Sequence, residues 1–271
     1  MAEIRYCLNA STIRPVPLLE KIRIAAETGY AAIELWSNEL GEFQEGGGAL
    51  TTVRQALEDG GLAVPTVIAL FGWLGTEGEE HRRALDEAKR KLEQAAAVGA
   101  ERMIASPPRD PVDLSRAGEQ YRELLELGEQ FGVWPAMEYL GFVRSVYQIA
   151  QAWEIVQAAE HPQATIVMDP FHILRGGSPL EEIEQVPGER VAIWHWNDIP
   201  DTKPVGELTD ADRVMPGDGV APLEEIAQRA KRTGYRGYVS LELFNAQWWE
   251  RDPRETARVG LERLRQTFPA E

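Results

Sequence analysis

The chain has 271 residues, 44% of them hydrophobic, and a formal net charge of −16. That length suits two small domains or a single barrel-sized domain with a large core. Binding to DNA or RNA calls for clustered Lys and Arg to neutralise phosphates, so the acidic balance excludes it and fits action on a neutral small molecule.

The first apolar segment, 3–9, predicts a strand and carries the one cysteine, Cys7, which reads as a small buried residue. A single cysteine permits no disulfide within the chain. With no secretory signal and no apolar stretch near the ~18 residues needed to span a bilayer, the expectation is a cytoplasmic protein with no membrane contact. Further strands are predicted at 31–36, 64–70, 101–106, 133–140, 164–169, 190–197 and 237–243. Helical periodicity occupies 16–28, 50–60, 78–98, 113–131, 146–160, 178–185, 221–233 and 252–267. Strict alternation implies a parallel sheet, and eight units close a (β/α)₈ TIM barrel, here one domain over residues 1–271. The punctuation agrees: "TGY" at 28–30, "VGAE" at 98–101 and "TGYRGY" at 233–238 put Gly after a helix and before a strand. The "EGGG" run at 45–48 predicts a mobile loop on the active-site side.

Four strands end in good metal ligands: Glu138 in "PAMEYLG", Asp169 in "IVMDPFH", His195 in "IWHWND" and Glu242 in "VSLELFN". Side chains alternate along a strand, so one set looks into the barrel and the other toward the helices. The indoles of Trp194 and Trp196 belong under the helices, which turns His195 inward. Val239, Leu241 and Leu243 do the same for Glu242. Val167 shares a face with Asp169, and Ala136 with Glu138. Three carboxylates converging on one barrel mouth repel each other, and a divalent cation resolves the conflict. Ordinary ion pairs with inward arginines are the alternative. Oxygen and nitrogen donors suit one divalent metal, and Mn, Co, Zn and Mg all remain open.

At these residues the chain resembles the xylose isomerase-like TIM-barrel superfamily of sugar isomerases and epimerases, and within it the 2-keto-myo-inositol (inosose) isomerases. "LNAST", "MDPFH", "HWNDIPDTKPVGELTDADRVMPGDGVAPLEEI" and "GYRGYVSLELFN" carry the resemblance, which covers most of the chain. It implies that Glu138, Asp169, His195 and Glu242 bind one divalent metal and that Glu138 and Glu242 double as acid/base groups. It also implies that His172 contacts a substrate oxygen and that Arg213 matches an arginine on the loop before the last helix–strand unit, either a substrate-binding residue folded over the mouth or a solvated loop charge. Some epimerase relatives carry an acidic residue shortly after the first ligand; here "EYLGFVRSV" has Arg144 instead, which counts against a ketohexose epimerase.

The remaining candidates have two readings each. Glu34 shares a face with Ala32 and Trp36 and is either a substrate contact or part of a polar network. Phe71 and Trp73 follow the third strand and either wall the pocket or pack on the barrel. Asn197 and Asp198 are turn residues or partners that orient His195. His81 and His161 read as surface residues. Trp248 and Trp249 cap the site or pack in a homo-oligomer interface.

The expected activity is isomerisation or epimerisation of a keto-polyol or sugar, by proton abstraction next to a carbonyl through an enediolate. A dehydratase acting on 3-dehydroshikimate or an inosose starts with the same step and is the alternative. A DNA-repair endonuclease of this barrel type needs a His-rich three-metal site, which four histidines and the acidic charge argue against. A non-catalytic binding protein would show no metal binding.

Overall fold

The computed structural model describes residues 4–270. Eight parallel strands pair in sequence order and close on themselves. They are β1 (Arg5–Asn9), β2 (Ala32–Trp36), β3 (Val64–Leu70), β4 (Ala100–Ala105), β5 (Trp134–Met137), β6 (Ile166–Met168), β7 (Val191–Trp196) and β8 (Tyr238–Leu241). Closure is between β1 and β8, with Cys7 opposite Ser240. This is the expected single (β/α)₈ barrel.

The alternation read along each strand separates two apolar layers. Cys7, Ala32, Ile104, Ala136, Val167 and Ile193 fill the barrel interior. Met137, Met168, Trp194, Trp196, Val239 and Leu241 face outward into the layer under the helices. Small inner residues leave room above them for the polar groups of the site. The outer helices are α1 (Leu18–Thr28), α2 (Ser37–Glu45), α3 (Leu50–Asp59), α4 (Gly78–Ala97), α5 (Ala117–Glu129) and α6 (Ile149–Ala158). They continue with α7 (Pro170–Gly176), α8 (Leu223–Arg232), α9 (Ala246–Trp249) and α10 (Pro253–Thr267). Helix α8 shows why they dock. Leu223, Ile226, Ala227 and Ala230 form one buried stripe, with Glu224 and Glu225 in the first turn and Arg229, Lys231 and Arg232 in the last, matching the helix dipole. Gly29 ends α1 at φ +88°, the left-handed conformation that lets the chain turn into β2.

Two connections differ from expectation. After β6 the predicted helix at 178–185 is a 3-10 turn, Leu180–Gln185, and α7 starts directly off the strand instead. The Asp169 side chain accepts from the Phe171 amide and Pro170 occupies the first turn, so the cap starts a helix that apolar spacing alone does not reveal. After β2 the unpredicted α2 runs into the Gly-rich stretch. Residues 46–48 donate their amides back to Glu42, Gln44 and Phe43, forming a hydrogen-bonded turn in place of the expected mobile loop. Among the described residues, no helix is long and apolar enough to cross a membrane.

Candidate active site

The ends of β5 to β8 bring the expected ligands to one mouth of the barrel. Asp169, His195 and Glu242 lie together, each buried, with one ligand atom apiece within 4.8 Å of the others. His195 Nδ1 is 3.1 Å from Glu242 Oε2 and 4.0 Å from Asp169 Oδ2. A cation with bonds of about 2.0–2.2 Å holds its donors at roughly such separations. His195 Nδ1 is buried and has no hydrogen-bond partner, although it points at two carboxylates. A metal ion would satisfy that nitrogen, and the donor set fits a hard or borderline divalent ion. Glu138, one residue beyond β5, faces the same cavity but stands apart from the compact trio. Its Oε2 accepts from Ser106 Oγ at 2.6 Å.

The charges here are strongly perturbed. Burial lifts the Glu138 carboxyl to about 7; His195 and the Ser106 hydroxyl oppose the rise, and Glu242 and Asp169 add to it. Burial also works against ionised Asp169, but Arg213, His172 and His195 bring it down to about 2. Burial takes the His172 imidazole down to about 4, with Arg213 adding to the effect and Asp169 opposing it. Burial disfavours a charged His195, yet Glu242 and Glu34 raise its pKa well above the usual value.

Arg213 is the central cation. It is 1% exposed. Its Nη1 donates to Asp169 Oδ2 at 2.5 Å and Glu242 Oε2 at 2.9 Å, and its Nη2 lies 3.0 Å from His172 Nε2. Asp210 accepts from Nε and Nη2, and the rings of Phe171 and Phe244 flank the guanidinium. The loop bearing Arg213 is fastened by Asp198. That carboxylate accepts from the amides of Gly217, Gly219 and Ala221 and from its own neighbour Ile199. Backbone bonds in both directions between Asp198 and Val214 complete the clasp. Asn197 donates to Asp169 Oδ1 at 3.0 Å. Asn197 and Asp198 therefore support the site without orienting His195 as expected, one through the ligand Asp169 and the other through the loop.

A cavity of about 390 Å³ opens over these groups. Its lining includes Glu138, His172, Arg213 and Glu242, with Trp36, Phe71, Phe142 and Phe244 as aromatic walls and Arg109 at the rim. Phe71 is 56% exposed and lines it as expected. Trp73 does not: it is fully buried, donating to the Ser106 carbonyl and packing on Tyr121. Glu34 does not line it either. It lies inside the barrel beneath His195, accepting from Asn9, Thr66, Ser240 and His195, so its polar-network reading replaces the substrate contact. Burial alone would raise its pKa, but His195 and the two hydroxyls hold it below the usual range. Neither Trp248 nor Trp249 caps the cavity; Trp249 donates to the Ser11 carbonyl. His81 pairs with Glu123, His161 accepts from the Gln163 amide, and Arg144 pairs with Asp110.

The sequence reading missed Asn9, Ser106, Trp36, Phe142 and Phe244. Asn9 had a usable signal, at the end of β1 and on the face of Cys7. It donates to both Glu34 and Glu242. Ser106, one residue beyond β4, had the same kind of signal, on the face of Ile104. Phe142 lies on an irregular connection, where period-two reasoning gives no direction.

The chain is similar in sequence or fold to several known proteins. The inosose isomerase of Bacillus velezensis is 27% identical over 269 residues, covering 96% of this chain and 95% of that one. The 3-dehydroshikimate dehydratase of Pseudomonas putida is 27% identical over 254 residues, 91% of this chain but 39% of that longer protein. A crystal structure of an IolI protein with a bound zinc atom has the same fold, with a TM-score of 0.91 at 24% identity, covering 97% of this chain and 98% of that one. The family profile for the xylose isomerase-like TIM barrel matches residues 22–267, from the first helix to the last. The chain belongs to the xylose isomerase-like TIM-barrel family.

Proposed function

We propose that the chain is a divalent-metal-dependent isomerase or epimerase of a keto-polyol or sugar, with a substrate resembling 2-keto-myo-inositol. The observation that carries this reading is the trio of Asp169, His195 and Glu242 beside a further buried carboxylate, Glu138, in the wall of the same cavity. Asp169, His195 and Glu242 would hold the cation, with Glu138 completing the set. When bound, a divalent cation supplies Lewis acidity for the negative charge that develops on the substrate carbonyl oxygen.

The side chains do the rest. Glu138 faces the cavity and accepts from the Ser106 hydroxyl, which suits its carboxylate to take a proton from, and return it to, the carbon next to the carbonyl. Glu242, held by Asn9 and Arg213, is the second candidate for that role. Return to the opposite face of the same carbon gives an epimer; return to the former carbonyl carbon moves the ketone. A neutral imidazole has one ring lone pair, and the Gly141 amide donates to His172 Nδ1 at 3.2 Å. Arg213 Nη2, which can only donate, faces the other ring nitrogen, Nε2, at 3.0 Å. Arg213 and His172 both line the cavity and would hold substrate oxygens there. The aromatic walls suit the C–H faces of a ring and exclude water.

A dehydratase is the second reading, favoured by Arg109. Its guanidinium lies over the Phe142 ring at the rim and has no carboxylate within ion-pair distance among the described residues. A substrate carboxylate, as in 3-dehydroshikimate, could pair with it.

Proton NMR in D₂O separates the two. The protein is loaded with Zn²⁺ or Mg²⁺ and offered 2-keto-myo-inositol, ketohexoses or 3-dehydroshikimate, with and without EDTA. Metal-dependent deuterium uptake next to the carbonyl, with a new ketone isomer or epimer, is the expected result. Uptake with loss of water moves the assignment to a dehydratase. Glu242→Gln should slow exchange by roughly 100-fold or more; full activity in that variant would sink the scheme.

A further inference from the structure

Below the cavity floor, five strands contribute one polar layer: Asn9 from β1, Glu34 from β2, Thr66 from β3, His195 from β7 and Ser240 from β8. Glu34 is its hub and is fully buried. Oε2 accepts from Asn9 Nδ2 at 3.1 Å and from the Ser240 hydroxyl; Oε1 accepts from the Thr66 hydroxyl and faces His195 Nε2 at 3.1 Å. A carboxylate surrounded by four donors is an acceptor at every contact, so the nitrogen facing it carries a hydrogen. That fixes the proton of a neutral imidazole on Nε2. In the neutral ring that a metal binds, the lone pair is then on Nδ1, the buried nitrogen without a hydrogen-bond partner, which lies between Glu242 Oε2 and Asp169 Oδ2.

We propose that Glu34 is a positioning residue that holds His195 as its Nε2–H tautomer, so that the ring coordinates the metal through Nδ1. The proposal rests on the reading that His195 ligates a metal and is independent of which substrate is turned over. The layer gives it rigidity. Asn9 Nδ2 donates to Glu34 and, at 3.0 Å, to Glu242 Oε1, so one amide sets the spacing between the carboxylate below the ring and the one above it. Parallel pairing puts Asn9 opposite Glu34 and His195 opposite Ser240, and backbone register thereby reproduces the arrangement. A carboxylate on the distal nitrogen of a metal-bound histidine fixes ring orientation and raises ligand basicity.

The test is long-range ¹H–¹⁵N NMR of the ¹⁵N-histidine-labelled full chain at neutral pH, titrated with Zn²⁺ alone. The chain has four histidines, and a His195→Gln sample identifies the signal. The expected outcome is a Zn²⁺-shifted Nδ1 with the proton retained on Nε2. Coordination through Nε2 overturns the proposal and leaves the metal site standing. A His195 signal unmoved by Zn²⁺ overturns both. The wild-type spectrum decides without any variant. Glu34→Gln then adds a second readout, because its amide can donate to Nε2 and favour the opposite tautomer. Chelator competition should show Zn²⁺ affinity weakened by roughly 10–100-fold, with Glu34→Asp recovering part of the loss. Wild-type affinity and tautomer in a folded Glu34→Gln variant would refute it.

Discussion

Glu138 is a buried carboxyl in the cavity wall, and burial disfavours its ionised form. A carboxyl that ordinarily titrates near 4.5 is held at about 7, chiefly by burial. Its folded value lies above its unfolded one, so the folded chain retains a proton that the unfolded chain releases. Stability from this group is therefore fully present below about pH 4.5, falls as pH rises toward 7, and is flat above. At about 1.4 kcal/mol per unit, the loss is on the order of 3 kcal/mol. In EDTA, Glu138→Gln should match wild type near pH 4.5 and exceed it by about 2–3 kcal/mol at pH 8. Urea unfolding across that range measures the gap, and other titrating groups cancel in the difference. A gap that does not widen with pH would mean that Glu138 is solvated. The inward direction of Glu138, Asp169, His195 and Glu242 was legible from period two, because bulky neighbours such as Trp194 and Leu241 had only one side to go. Glu34 and Trp73 were not. An inward carboxylate at the depth of Glu34 looks the same in sequence as one at the mouth. The Trp73 indole turns into the wall to reach the Ser106 carbonyl, a long-range partner that no local pattern shows.

At the level of elements, the site depends on a loop without regular structure. Arg213 reaches the ligands because residues 214–221 are tied to Asp198, just past β7. Gly219 is part of that tie: a Cβ there would lie 2.2 Å from the Ile199 carbonyl and 2.5 Å from Asp198 Oδ1. Gly219→Ala must therefore push the loop off its anchor, and Asp198→Ala removes the anchor itself. Either change should speed hydrogen exchange at the 214–221 amides by at least about tenfold, and Asp198→Ala should cost about 2 kcal/mol of stability. Both should lower kcat/KM through Arg213. In an Arg213→Ala background, Asp198→Ala should then have little further effect on turnover. Full additivity would separate Asp198 from Arg213 and leave it a purely structural residue. The anchor was not legible: Asp198 read as a turn residue or as a partner of His195, whereas its carboxylate holds amides about twenty residues further on. Helix α7 was hidden for a related reason. Asp169 serves both as helix cap, through the Phe171 amide, and as candidate ligand. A residue read for its chemistry conceals the boundary it marks.

The barrel as a whole was legible because each of its signals repeats eight times. An error at one strand end does not change the count, and parallel closure follows from alternation. What the fold then does with its acidic charge is a separate matter. Two carboxylates and an imidazole cluster at one mouth, with Glu138 in the same cavity, inside a chain of net charge −16, so a cation should be worth measurable stability to the folded state. The unfolded chain scatters the same groups along more than a hundred residues and binds weakly. Linkage then sets the scale: at free Zn²⁺ about 100 times its dissociation constant, the fold should gain about 2.7 kcal/mol. For a domain of this size that is a rise of roughly 5 °C in Tm. EDTA should reverse the gain. Asp169→Asn and His195→Gln should remove the metal-dependent increment while leaving the EDTA-treated protein folded, since neither residue belongs to the apolar layers. Calorimetry with and without Zn²⁺ on the three proteins reads this directly. An increment that survives in both variants would place the bound ion elsewhere on the acidic surface. Its loss in both would tie the ion to the mouth, where Glu138 and His172 face the same cavity.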